Sequence, residues 1–74
     1  MKQAFRYPII IERSKKNYSA YSLDLPGCVA TGVTLKETLG RMRSAIKFHL
    51  EGLRREGAEI LEPSTKVKYI EISV

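Results

Sequence analysis

One stretch of this chain repeats its apolar residues with a helical period, and the segments on either side of it alternate with a period of two. From Leu35, apolar residues recur at Leu39, Met42, Ile46, Leu50 and Leu53. At about 100° per residue they fall within an arc of roughly 80°, so one face of a helix is apolar. A lone amphipathic helix cannot bury that face against itself, and the flanking segments must supply a sheet for it to lie on. Thr34-Leu35-Lys36-Glu37 fits a capping box, in which the Thr hydroxyl accepts from a first-turn amide and the Glu reaches back to the cap. Gly57 suits the position just past the end, with Arg54 and Arg55 in the last turn to meet the exposed carbonyls. The spacing predicts a helix from about 35 to 56. Gly40 and Gly52 inside it each cost about 1 kcal/mol relative to Ala, so tertiary packing has to hold it.

Before the helix, Phe5 to Glu12 places Phe5, Tyr7, Ile9 and Ile11 on one face, with Ile10 adding an apolar group to the other. Pro8 has no N–H for a ladder, which puts this strand at an edge or limits its pairing around that residue. Ser14-Lys15-Lys16-Asn17 is a turn signal, and Tyr18 to Leu25 alternates again, with Tyr21, Leu23 and Leu25 together, so the two segments form a hairpin. In Asp24-Leu25-Pro26-Gly27 the proline fixes φ and the glycine supplies the positive φ of a type II turn. Cys28 to Val33 reads as a third strand ending near Gly32. After Pro63, Lys66 to Val74 returns to alternation with Ile70, Ile72 and Val74 on one side. The expected architecture is α+β, in the order β-β-β-α-β. Three strands form an antiparallel sheet, and a right-handed crossover through the helix brings a fourth strand parallel to the first.

Seventy-four residues with 43% apolar and 28% charged content describe one small globular domain over 1–74. No apolar run exceeds Ile9-Ile10-Ile11, far from the roughly 20 residues that cross a bilayer. The amino terminus has no secretory signal pattern, so a cytoplasmic location is expected and no membrane partner. Cys28 is single, which excludes an intrachain disulfide, and one Cys with one His does not make a zinc cage. The net charge of +5 sits in the first two thirds: residues 1–33 carry five basic and two acidic groups, 34–57 six and three, and 58–74 two and three.

Read together, Tyr21-Ser22-Leu23-Asp24-Leu25-Pro26-Gly27-Cys28, Thr31-Gly32-Val33-Thr34-Leu35-Lys36-Glu37 and His49-Leu50-Glu51-Gly52-Leu53 resemble the HicB-like antitoxin family over nearly the whole chain. A hairpin, a D-x-P-G-C corner, a G-x-T-x-x-E helix start and an H-L-x-x-L helix end at these spacings form a specific combination. The resemblance implies a partial ribonuclease H-like fold that binds and blocks a small toxin ribonuclease of the HicA type and is not itself a nuclease. Many family members continue into a DNA-binding and assembly segment, and on this reading the chain is a short form without it. A basic inhibitor of a basic RNA-binding toxin departs from the charge complementarity such a pair would ordinarily show.

The residues themselves favour binding over catalysis. A ribonuclease H-like nuclease needs several carboxylates around divalent metal, and before the helix there are only Glu12 and Asp24. Asp24 leads the Pro-Gly turn, where a local turn hydrogen bond is its expected role, and the resemblance adds that the corner from Asp24 to Cys28 lies near a partner surface. His49 borders the apolar arc and Cys28 is expected to be a small buried hydrophobe, so no catalytic residue, metal ligand or cofactor is assigned. Phe48 lies about 120° or more from the apolar arc, on the outer helix face. The sheet face that the helix leaves uncovered is expected to present Ile10, Tyr18 and Ala20, and with Asp24 and Phe48 these are the candidate partner- or self-binding residues. Lys36, Arg43, Lys47 and Arg54 fall within roughly 40° of one another. This basic stripe carries the alternative reading, a nucleic-acid-binding accessory module, against the expectation that its stems only line the core rim. Uncovered sheet surface and free strand edges make a homodimer or higher homo-oligomer the expected state.

Overall fold

The computed structural model describes residues 4–74. Three strands, β1 (Ile9–Arg13), β2 (Tyr18–Ser22) and β3 (Val29–Gly32), precede the helix α1 (Leu35–Arg55). The strands form one antiparallel sheet in the order β1-β2-β3. Ile9 pairs with Ser22 and Ile11 with Ala20, and across the second ladder Ala20 pairs with Ala30 and Tyr18 with Gly32. The class is α+β, as the alternation and the capping box predict. β1 starts at Ile9 rather than Phe5, directly after Pro8, whose missing N–H ends the ladder there. β2 stops at Ser22 rather than Leu25, because the Ser22 hydroxyl accepts from the Leu25 amide at 3.1 Å and turns the chain.

The helix is bounded by the expected chemistry. Thr34 Oγ1 accepts from the Glu37 amide at 3.1 Å. The Glu37 carboxylate accepts from the Val33 amide at 3.2 Å, one residue earlier than the cap itself. At the other end Gly57 takes φ +72°, its amide donates to Arg54 O at 3.1 Å, and Ala58 donates to Leu53 O at 2.9 Å. That pair of bonds is a Schellman ending.

The helix packs on β3 and then β2 and does not reach β1. The sheet residues beneath it are small: Ala20 and Ser22 are buried on β2, and Ala30 and Gly32 face it from β3. An ideal Cβ on Gly32 would stand 2.6 Å from Thr38 Oγ1 and 3.0 Å from Thr38 N. Thr38 is fully buried at this contact, and its hydroxyl donates to Thr34 O at 2.8 Å. The helix is consequently rolled toward Thr38, about 60° around the axis from Leu35. Met42 remains central, Ile46 and Leu50 pack at its side, and Leu35 and Leu39 are left partly exposed. Ala20, Leu25, Cys28 and Met42 make up the buried apolar core.

Among the described residues the expected fourth strand does not appear: 58 to 74 carries no helix or strand. Its path explains why. Tyr7 Oη donates to Leu61 O at 3.0 Å, and Thr65 to Lys68 run beside Arg6, Tyr7 and Pro8. Pro8 offers no N–H at the place where a parallel ladder would begin. The three-stranded antiparallel part of the expected architecture is therefore present, and the crossover strand on β1 is not.

Gly32→Ala should destabilise the fold by about 1 to 3 kcal/mol through overpacking against Thr38. Gly40→Ala, in open space on the same helix, should stabilise it by up to about 1 kcal/mol through helix propensity. Thermal or urea unfolding of the two variants tests the pair, and equal midpoints would contradict the close approach.

Candidate functional site: the Pro-Gly corner, the outer helix face and the open sheet face

The corner is built as its residues dictate. The Cys28 amide donates to Leu25 O at 3.2 Å, closing a turn with Pro26 and Gly27 at the centre, and Gly27 takes φ +84°, the value a type II turn requires. Ser22 N donates to Cys28 O at 3.2 Å and joins the turn to the end of β2. Leu25 and Cys28 point into the core, and Leu23 is exposed. Burial pushes the Cys28 thiol above its ordinary range, which keeps it protonated and makes it a poor nucleophile.

Asp24 does something other than the local turn bond expected of it. Its Oδ1 accepts from Ser64 N at 2.9 Å, Thr65 N at 3.1 Å, and both hydroxyls at 3.2 Å, across 40 residues of chain. The Ser64 amide is the main reason its carboxyl is held below the usual carboxylate range. Burial opposes the shift, and the Thr65 amide and the two hydroxyls add to it. Tyr7, which holds Leu61, has its phenol pushed up by burial and then by the negative charge of Asp24. Asp24 and Tyr7 together fix the segment 61–65 to the corner. The local turn role belongs to Ser22 instead. No periodicity signals a tie of this range; the only trace in the sequence is a Ser-Thr pair after Pro63 that can supply two amides and two hydroxyls.

Phe48 lies on the outer face as its helical angle predicts and is 76% exposed. It does not stand in isolation. A groove between the corner and the second half of α1 is lined by Gly27, Cys28, Ala45, Phe48, His49 and Gly52. The structure thus brings two separate expectations, the corner and the outward Phe, to one surface. His49 is half-buried at its edge.

The open sheet face differs from the sequence reading. Ala20 is 1% exposed in the core and Tyr18 shares its side of β2, so neither lies on the face away from the helix. Close helix-to-sheet contact selects the small Ala20, Ser22 and Ala30, and Tyr21, Val29 and Thr31 are turned outward. Ile10 is on the open face as expected, paired with Tyr21, which pairs in turn with Val29. These three make an apolar row across the sheet, with Val29 65% exposed. Burial, and then the neighbouring Glu12 carboxylate, raise the Tyr21 phenol. Tyr18 instead stacks under the Arg13 guanidinium at 5.6 Å.

Lys36, Arg43, Lys47 and Arg54 are all exposed on α1. They stand on the flank opposite the corner groove, as their spacing places them. Arg41, outside the stripe, donates to Thr31 O at 2.9 Å and pairs with Glu37 at 3.3 Å. Among the described residues no three of His, Cys, Asp and Glu gather as metal ligands, and no helix is long and apolar enough to cross a membrane.

Comparison with known proteins places this arrangement in context. Residues 7–72 match the family model described as the HicB-like antitoxin of bacterial toxin-antitoxin systems. The chain is 36% identical over 64 residues to an uncharacterised 14.9 kDa protein from the rep-hol intergenic region of Haemophilus phage HP1, covering 86% of this chain and 48% of that protein. It is 32% identical over 56 residues to the UPF0150 protein Ta0767 of Thermoplasma acidophilum, covering 74% of this chain and 81% of that one. The chain thus spans about half the length of the phage relative. No solved structure matches it.

The Asp24 tie generates a test with a defined sign. A carboxyl whose pKa is lowered by folding contributes stability that is present above its unfolded value, about 3.9, and lost as pH falls through the folded value. Amide exchange should show Ser64 and Thr65 losing protection in Asp24→Ala while the β1-β2 ladder keeps its own. Wild type should lose the same protection on acidification, and Asp24→Asn should remove that pH dependence. Unchanged protection at Ser64 and Thr65 in Asp24→Ala would contradict the tie.

Proposed function

Because the chain belongs to the HicB-like antitoxin family of bacterial toxin-antitoxin systems, we propose that it is the antitoxin of such a pair and acts by binding and occluding a small HicA-type toxin ribonuclease in the cytoplasm. The observation that carries the surface assignment is the exposed Phe48 beside the Pro-Gly corner groove. An exposed aromatic next to a concave strip of Gly27, Ala45 and Gly52 offers an anchor and a seat for a partner side chain, the arrangement that dominates the energy of interfaces. Inhibition on this reading is steric and needs no chemistry from Cys28 or His49. The protein is not an enzyme, and it uses no cofactor. The lining of the groove also accounts for a basic antitoxin: contact with a basic toxin is made through surface that is mainly apolar and includes the Glu56 carboxylate, with the cationic stripe on the far flank of the helix. We further propose that the protein is a homo-oligomer, with two-fold symmetry the simplest form.

The accessory-module alternative rests on Lys36, Arg43, Lys47 and Arg54, whose exposure suits phosphate contact. No aromatic residue accompanies them to stack on bases, and long basic stems beside an apolar flank have a packing role of their own.

Equimolar addition of this protein should stop RNA cleavage by the toxin encoded beside its gene, and Phe48→Glu should weaken that inhibition by about tenfold or more, or about 1.4 kcal/mol. Lys36→Glu with Lys47→Glu should leave inhibition intact. Salt-sensitive nucleic-acid binding abolished by that double charge reversal, together with no inhibition of the toxin, would install the alternative.

A further inference from the structure

The segment from Lys66 to Val74 is the part of the molecule that its own fold accounts for least. Its sequence alternates as a strand with one packed face does, yet Tyr69, Ile70 and Ile72 are 94%, 85% and 72% exposed. Its backbone makes no hydrogen bond to any other described residue. The Cα radius of gyration is 14.4 Å and the longest dimension 48 Å, whereas a compact chain of this length has a radius of about 11 Å. The segment is an extended arm that carries a strand's pattern and has no ladder partner among the described residues.

The body offers one vacancy of the same kind. On the far side of the sheet, the edge of β3 is only four residues long, and Arg41 already donates to its Thr31 carbonyl. The edge of β1 has no neighbour over Ile9–Arg13 among the described residues. Above β1 the helix is absent, so Ile11, on the helix side by its pairing with Ala20, stays partly exposed. The helix flank away from the corner groove ends in the partly exposed Leu39. A strand laid on the β1 edge would satisfy that edge and bring one apolar face against Ile11 and Leu39.

The arm of the same chain is poorly placed to be that strand. The Asp24 tie and the Tyr7 bond fix where it leaves, and it runs first beside Arg6, Tyr7 and Pro8, where the proline gives a ladder no donor. Beyond that point it departs from its own body. We propose that Lys66–Val74 of one copy pairs as the fourth strand on the β1 edge of a second copy, and that reciprocal exchange closes a two-fold dimer. Each copy carries one donor arm and one acceptor edge, so the exchange is complete at two chains and leaves neither exposed. The inference rests on the self-association read above and gives it a contact: the β1 edge with Ile70 and Ile72 of the partner copy, leaving Phe48 and the corner groove free.

Light scattering at micromolar concentration should give twice the 8.4 kDa chain mass, and Ile70→Asp with Ile72→Asp should return it to one chain with the helical circular dichroism retained. Should that variant unfold, Glu12→Cys and Glu71→Cys chains refolded together provide the second measurement. A short bismaleimide should link them into a covalent dimer that neither variant forms alone, while buried Cys28 stays unreacted. A wild-type monomer sinks both the exchange and self-association. A dimer that keeps its mass after the double Asp substitution, or is lost in Phe48→Glu, or gives no Glu12→Cys to Glu71→Cys crosslink, retains self-association and overturns the exchange.

Discussion

The closeness of Gly32 to Thr38 sets the geometry of the whole domain. A glycine at the end of β3 lets the first turn of α1 come down onto the sheet until the Thr38 side chain occupies the space a Cβ would fill. A helix held that close tolerates only small side chains beneath it, which is why Ala20, Ser22 and Ala30 face it and Tyr21, Val29 and Thr31 face away. The approach also fixes lateral position. With its start pinned over β3, the helix covers β3 and β2 and leaves β1 uncovered. The core is accordingly small and off-centre, and the exposed apolar groups on the β1 flank follow from the same contact.

Much of this was legible in the sequence, and the losses have a common cause. Local signals with a direct chemical basis held: the Thr34 cap, the Gly57 ending, the Pro26-Gly27 turn and the edge meaning of Pro8 all depend on single residues and their own backbone. The outward angle of Phe48 held because a helix has one period. Facing in β2 is not legible in this way, because alternation reports hydrophobicity whereas packing under this helix is decided by size. Ala20 and Ser22 look like the weaker face of an amphipathic strand, and a close helix makes them the buried one.

The long-range features were the least visible. Asp24 sits where a turn residue belongs, and a local reading gives it a local bond. Its actual partners are Ser64 and Thr65, and nothing in periodicity joins positions 40 residues apart. The fourth strand is the opposite case: Lys66 to Val74 has the pattern of a strand, but a pattern states that a segment can pair and not where its partner lies. Of the candidate surface, the corner and Phe48 could each be named in advance, and only the fold could show that they border one groove.

The two surfaces proposed for association lie on either side of the Asp24 tie. On one side lie the corner and the helix groove, whose shape is set by core residues Leu25, Cys28 and Met42 and does not depend on anything beyond residue 65. On the other lies the segment Lys66–Val74, whose backbone bonds to no other described residue and whose start is set by the bonds at residues 61–65. Four bonds to one carboxylate oxygen hold the base of that segment to the same corner that borders the groove. The surface proposed for a foreign partner and the strand proposed for a like partner are therefore compatible in 74 residues, because the contact that joins them is polar and local to Asp24, whereas the groove is bordered by apolar core residues.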